Sequence, residues 1–169
     1  GGPAWIADAQ VYPRVAERAA LVRVRLGNAL GQPGVARLHL AARLTNAPGK
    51  HEPEPVNVEV ALGPEGGSAE VLYPLGDEAR LWDEFSPALY TLDVTLDAAI
   101  GGRRVGDTRS VTFGLREVSV QGTQIAVNGR PIFLRGTLEC CIFPRTGHPP
   151  TDVDSWKRII NVCKAHGLN

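Results

Sequence analysis

From Trp5 to Phe113 apolar and polar residues alternate with a period of two, segment after segment, and this restricts the region to half-buried antiparallel strands. Val22, Val24 and Leu26 are separated by Arg23 and Arg25, and Leu38, Leu40, Ala42 and Leu44 by Arg37, His39 and Arg43. The same holds for Val56, Val58, Val60 and Leu62, and for Tyr90, Leu92, Val94 and Leu96. Gly, Pro, Asn and Asp bound the segments, and the stretch 46–55, with three prolines and a glycine, reads as an exposed loop.

Further segments near residues 9–12, 70–75 and 108–113 bring the count to about seven strands, the number expected of an immunoglobulin-like antiparallel β-sandwich. Tyr90 opens the sixth, where its hydroxyl either ties the chain to an upstream turn or belongs to an ordinary core tyrosine. No cysteine lies in this region, so inward packing rather than a cross-sheet disulfide must hold it.

After Phe113 the pattern changes. Val118 and Val120, then Ile125 and Val127, predict a short hairpin, with Asn128-Gly129 a tight-turn signal. Ile132, Phe133 and Leu134 form a continuous apolar run that suits a strand buried on both faces. Residues 151–154 read as a capping-box variant, and Val153, Trp156, Ile160 and Cys163 fall on one helical face. Lys164, His166 and Gly167 suit that helix's end. A parallel-type strand, a long loop and an amphipathic helix make one β/α unit, which has no second layer of its own. That incompleteness, and the absence of any methionine, predict a piece of a longer protein. The apolar residues of the tail then require cover, by the sandwich or by self-association of copies.

Eighteen basic and eighteen acidic residues cancel, so neither nucleic acid nor an anionic membrane is an expected partner. No apolar run is long enough to span a bilayer. The expectation is a soluble protein, with periplasmic, secreted and cytoplasmic locations all open. Cys140, Cys141 and Cys163 are too few for a disulfide framework or a four-ligand zinc site, and His39, His51, His148 and His166 are scattered. No cofactor or metal is expected. Asp83 and Glu84 are neighbours on an extended segment and point to opposite faces, so they do not make a catalytic pair.

Three stretches carry a resemblance. Leu81-Trp82, Pro87 and Leu89-Tyr90-Thr91-Leu92 resemble a signature in the sandwich domain of glycoside hydrolase family 2, the group of β-galactosidases, β-glucuronidases and β-mannosidases. Phe113-Gly114-Leu115-Arg116 resembles that family's junction, and Asn128-Gly129-Arg130-Pro131-Ile132-Phe133-Leu134-Arg135-Gly136 its lead-in to the catalytic barrel. The resemblance implies an immunoglobulin-like sandwich over residues 1–114. It implies a hairpin and the first strand and helix of a truncated TIM barrel over residues 115–169. It further implies a parent with a jelly roll, this sandwich and a barrel that hydrolyses O-glycosidic bonds of a carbohydrate with retention, through two carboxyl groups about 5 Å apart. In the family both glutamates lie on later barrel strands, so the chain alone is expected to be inactive, an architectural linker partnered by the jelly roll and barrel of its parent.

The sequence departs from the family where an Asn-Arg-His-Glu-like run is usual: Leu138-Glu139-Cys140-Cys141 stands there, with Cys140 in the histidine's place. Glu139 and Cys140 are therefore the candidate substrate-proximal residues in an intact parent, with Arg145 and His148 on the long loop behind them. A different class of function, a free-standing immunoglobulin-like module binding carbohydrate or protein, would have no use for residues beyond Phe113.

Overall fold

The computed structural model describes residues 2–169. It is mainly β, with antiparallel sheets and one helix. Seven strands build two sheets: β1 (Ala4–Arg14), β2 (Ala19–Asn28), β3 (Gly34–Leu44), β4 (Val56–Leu62), β5 (Gly67–Pro74), β6 (Tyr90–Ile100) and β7 (Arg103–Phe113). One sheet runs β1-β2-β5 and the other β4-β3-β6-β7. The chain divides into two compact units, the first comprising residues up to Ser119 together with Val127–Gly129, the second Val120–Ala126 and Arg130–Asn169.

In the first unit the period-two alternation becomes burial. Val22, Val24 and Leu26 of one sheet meet Leu38, Leu40, Leu92, Val94 and Leu96 of the other in a single core from which water is excluded. Each strand contributes one face to this core and gives the other to solvent. The edges are handled differently. β1 carries a bulge between Ile6 and Asp8, which leaves backbone groups without ladder partners. Side chains of β7 supply them: Ile6 N–H donates to Asp107 Oδ2 at 2.8 Å, and Arg109 Nη1 donates to Ala7 O at 3.2 Å.

Two buried tyrosines tie loops to the core. Tyr73 Oη accepts from Ala42 N–H at 3.0 Å and donates to Pro53 O at 3.3 Å. Tyr90 Oη accepts from Arg80 N–H at 2.9 Å and lies 2.7 Å from His51 Nδ1, while its ring stacks on Phe113 with centroids 5.6 Å apart. Tyr90 thus ties β6 to the turn ten residues upstream. Burial raises the pKa of both phenols, because the ionised form loses its hydration, and the backbone hydrogen bonds from Ala42 and Arg80 offset this only in part. A folded-state pKa above the unfolded one means that the stabilisation is complete below the unfolded value. It declines once pH climbs past about 10 and on through the raised folded values. The urea midpoint is therefore expected to fall across that window, in step with tyrosinate absorbance; a midpoint unchanged through full tyrosine ionisation would contradict the assignment.

The remaining elements are a small sheet ordered β10-β9-β8, formed by β8 (Val118–Gln121), β9 (Gln124–Val127) and β10 (Arg130–Pro131), and the helix α1 (Val153–Ala165). Two expectations are corrected here. Ile132, Phe133 and Leu134 form no strand, and Phe133 is 81% exposed. A strand buried on both faces needs a hydrogen-bonded neighbour, and among the described residues this run has only isolated bonds, such as Ile132 N–H to Ile125 O at 2.8 Å. The helix cap is Asp152 rather than Thr151: its extended backbone and its Oδ1, accepting from Ser155 N–H at 2.7 Å, define the start. That backbone bond also holds the Asp152 carboxyl below the usual carboxylate range. Gly167, at φ 78°, ends the helix as expected. No residue of α1 is buried, and no helix of the described residues is long and apolar enough to cross a membrane.

Candidate functional site

Two of the stretches that carry the resemblance, together with Asn128 at the head of the third, converge in the first unit. Leu81 forms a parallel bridge with Leu115, and Trp82 N–H donates to Leu115 O at 2.9 Å. The Trp82 side chain passes 3.0 Å from where a Cβ on Gly114 would stand, so only glycine fits there without displacement. On the indole lies the Arg116 guanidinium, 4.3 Å from the ring centroid. Asn128 closes the cluster. Its Nδ2 donates to Trp82 O at 2.9 Å, its Oδ1 accepts from Glu117 N–H at 2.9 Å, and its own N–H donates to Glu117 O at 2.9 Å. Asn128 does this at φ 51°, a left-handed conformation that Asn tolerates better than most residues.

One side chain thus fastens the Leu-Trp segment and the Gly-Leu-Arg-Glu segment to the turn where the chain passes between its two units. Reading the sequence assigns Asn128-Gly129 to a tight turn and misses this bridging. The signal available was Asn itself, which brings a donor and an acceptor to a turn that a glycine would also permit. Nearby, Asp83 Oδ1 accepts from Phe85 N–H at 2.8 Å and Ser86 N–H at 2.7 Å. Asp83 thus forms a turn.

The second unit holds the substrate-proximal candidates. Glu139 is exposed, and its Oε1 accepts from Cys141 N–H at 2.5 Å, with Cys141 at φ 57°. Cys140 is exposed. Arg145 and His148 stand apart from them and line a cavity of about 500 Å³ with Phe143, Ser155 and Arg158. That cavity is shaped by Phe143 set edge-on to Trp156, centroids 6.1 Å apart, and by Trp156 Nε1 donating to Pro150 O at 2.9 Å. The structure does not bring Glu139 or Cys140 into it. No second carboxylate is paired with Glu139, and no group of three or more His, Cys, Asp or Glu gathers as metal ligands among the described residues. The first unit thus holds a hydrogen-bonded cluster around Trp82 and Asn128, and the second an exposed carboxylate, Glu139, bonded to the backbone of its own loop.

Comparison with known proteins bears on both. The chain is 32% identical over 90 residues to a β-galactosidase of Staphylococcus xylosus, a match that takes in 53% of this chain and 8% of that protein. A GH2 β-galacturonidase from Eisenbergiella tayi has the same fold over 99% of this chain and 28% of its own, with a TM-score of 0.76 at 18% identity. A Bacteroides uniformis β-glucuronidase matches 99% of this chain and 21% of its own, with a TM-score of 0.69 at 17% identity. The chain thus spans well under a third of each of these relatives. The sequence model of glycosyl hydrolases family 2 matches residues 4–116, the whole sandwich and the first two of the three stretches, and the chain accordingly belongs to that family.

Proposed function

We propose that residues 1–114 act as an immunoglobulin-like architectural linker within a larger retaining glycosidase, and that residues 115–169 are a hairpin and the first strand-helix unit of its catalytic barrel. The observation that carries this reading is the convergence on Trp82, Arg116 and Asn128, which ties the last residues of the sandwich to its Leu-Trp segment. Seven strands divided three and four between two sheets support the immunoglobulin-like assignment.

The second unit supports the barrel assignment. Asn169, just past the helix, returns to the segment before the loop: its N–H donates to Arg135 O at 3.1 Å, and its Oδ1 accepts from Arg135 N–H at 2.8 Å. A chain segment, a helix and a return beside that segment are the order from which a parallel pair would be built. On this reading residues 132–135 become a full strand once neighbours flank them. The exposed Phe133, Leu134 and Ile160 are then covered by the rest of the barrel, with association of copies as the alternative cover.

Glu139 and Cys140 would follow the strand's carboxyl end, the face on which barrel enzymes bind substrate, and Glu139 would accept a sugar hydroxyl. The two carboxyl groups of retaining chemistry, about 5 Å apart, are on this reading supplied by later barrel strands. The purified 169-residue chain is expected to release no nitrophenol from aryl β-galactoside, β-glucuronide, β-galacturonide or β-mannoside. Turnover of any of them by this chain would overturn the proposal.

A further inference from the structure

The outward face of the β1-β2-β5 sheet sets an aromatic residue at each end of β1 and polar residues between them. Strand pairing sets Trp5 opposite Gly27, Asp8 opposite Arg25, Gln10 opposite Arg23 and Tyr12 opposite Leu21. Across β2, Arg25 faces Ser68 and Arg23 faces Glu70. All of these lie on the side away from buried Val22, Val24 and Leu26.

Gly27 explains the posture of Trp5. A Cβ built on it would meet ring atoms of Trp5 at 2.3, 2.4 and 2.8 Å, so the indole lies down on the glycine backbone. The residue is nonetheless 38% exposed, which leaves the other side of the ring to solvent. Tyr12 is 41% exposed, with the Arg23 guanidinium 5.1 Å from its ring centroid. At about 3.3 Å of rise per residue the two aromatic side chains stand about 20 Å apart along β1.

Between them the polar groups are already oriented by one another. Tyr12 Oη donates to Gln10 Oε1, Gln10 Nε2 donates to Asp8 Oδ2 at 2.9 Å, and Arg23 Nε donates to Glu70 Oε2 at 2.6 Å. Arg25 is exposed and has no ion-pair partner among the described residues. Asp8, Gln10, Arg23, Arg25, Ser68 and Glu70 line a shallow cavity of about 330 Å³.

A protein-binding patch places its apolar and aromatic residues at the centre and its polar ones at the rim. This face does the opposite, with aromatic platforms at the ends and planar hydrogen-bonding groups in the middle. Two carboxylates against two guanidiniums leave it without a dominant charge, so a strongly anionic ligand finds no complement. The chemistry that matches is a chain molecule with apolar C–H faces to lie on rings and hydroxyls to meet carboxylate, amide and guanidinium groups.

We propose that the β1-β2-β5 face binds a neutral, unbranched oligosaccharide lengthwise along β1, with one sugar on Trp5, another at Tyr12, and Asp8, Gln10 and Arg25 bonding the hydroxyls between. The proposal concerns binding by the sandwich and stands apart from whether the parent hydrolyses anything. Calorimetric titration of the 169-residue chain with cellohexaose, xylohexaose and mannohexaose tests it. At least one hexasaccharide is expected to bind with submillimolar affinity, and Trp5→Ala and Tyr12→Ala are each expected to weaken that binding about tenfold or more. Arg25→Ala, whose side chain supports nothing else, is expected to weaken binding while leaving the thermal midpoint unchanged, which separates lost contact from lost fold. Absence of binding to all three at millimolar concentration, or binding that survives both aromatic substitutions, would overturn it.

Discussion

Leu40→Ala is expected to lower the unfolding free energy of the 169-residue chain by about 2–5 kcal/mol, while Phe133→Ala is expected to change it by less than about 0.5 kcal/mol. The contrast follows from where the two side chains are. Leu40 lies on β3, with β4 hydrogen-bonded on one side and β6 on the other, and none of its surface reaches water. Truncation there removes its transfer free energy and leaves a cavity in a close-packed core. Phe133, with most of its ring in water, has no comparable packing to lose. Urea denaturation of the two variants measures the difference directly. A comparable loss from both would mean that the apolar residues after Pro131 belong to the folding core, contrary to the burial pattern.

Asn128→Ala is expected to cost about 2–5 kcal/mol, a large effect for a turn residue. Two hydrogen bonds disappear, one to Trp82 O and one from Glu117 N–H, at about 0.5–1.5 kcal/mol each. Alanine must also adopt φ 51°, which costs about 1–2 kcal/mol. Asn128→Gly separates the two contributions: it removes the hydrogen bonds but relieves the backbone, so about half the loss should return. If alanine and glycine variants were both as stable as the parent chain, the joint around Trp82 would be a coincidence of packing rather than a fastening.

The strands were legible because their faces are so unequal. Val22, Val24 and Leu26 against Arg23 and Arg25 leave one orientation that buries the apolar set, and the structure has it. Tyr90 was read as either a tie or a plain core residue, and its bond from Arg80 N–H decides for the tie. The residues that escaped were those whose role depends on a partner distant in sequence. Nothing near Asp107 announces that it serves the β1 bulge, and nothing near Gly27 announces the indole lying on it. The error at Ile132–Leu134 has a different origin. An apolar run tells what a strand's neighbours must be like, yet it cannot provide them, and without flanking strands the backbone there stays irregular. At the helix start, Thr151 and Asp152 are both competent caps, and the carboxylate, the stronger acceptor, takes the Ser155 amide. Of the candidate site, Glu139 and Cys140 were picked as residues following a barrel strand; both are exposed, and Glu139 holds the Cys141 amide of its own loop.

The joint around Trp82 and Asn128 is expected to belong to the sandwich's cooperative core, and the loop after Pro131 is not. Amide hydrogen exchange resolves this residue by residue. The Trp82 and Asn128 amides, donated to Leu115 O and Glu117 O, are expected to exchange only through global unfolding, as slowly as Leu40 and Val94, while residues 136–140 exchange freely. Fast exchange at Trp82 and Asn128 against slow exchange at Leu40 and Val94 would show the joint opening independently of the sandwich and would contradict the account.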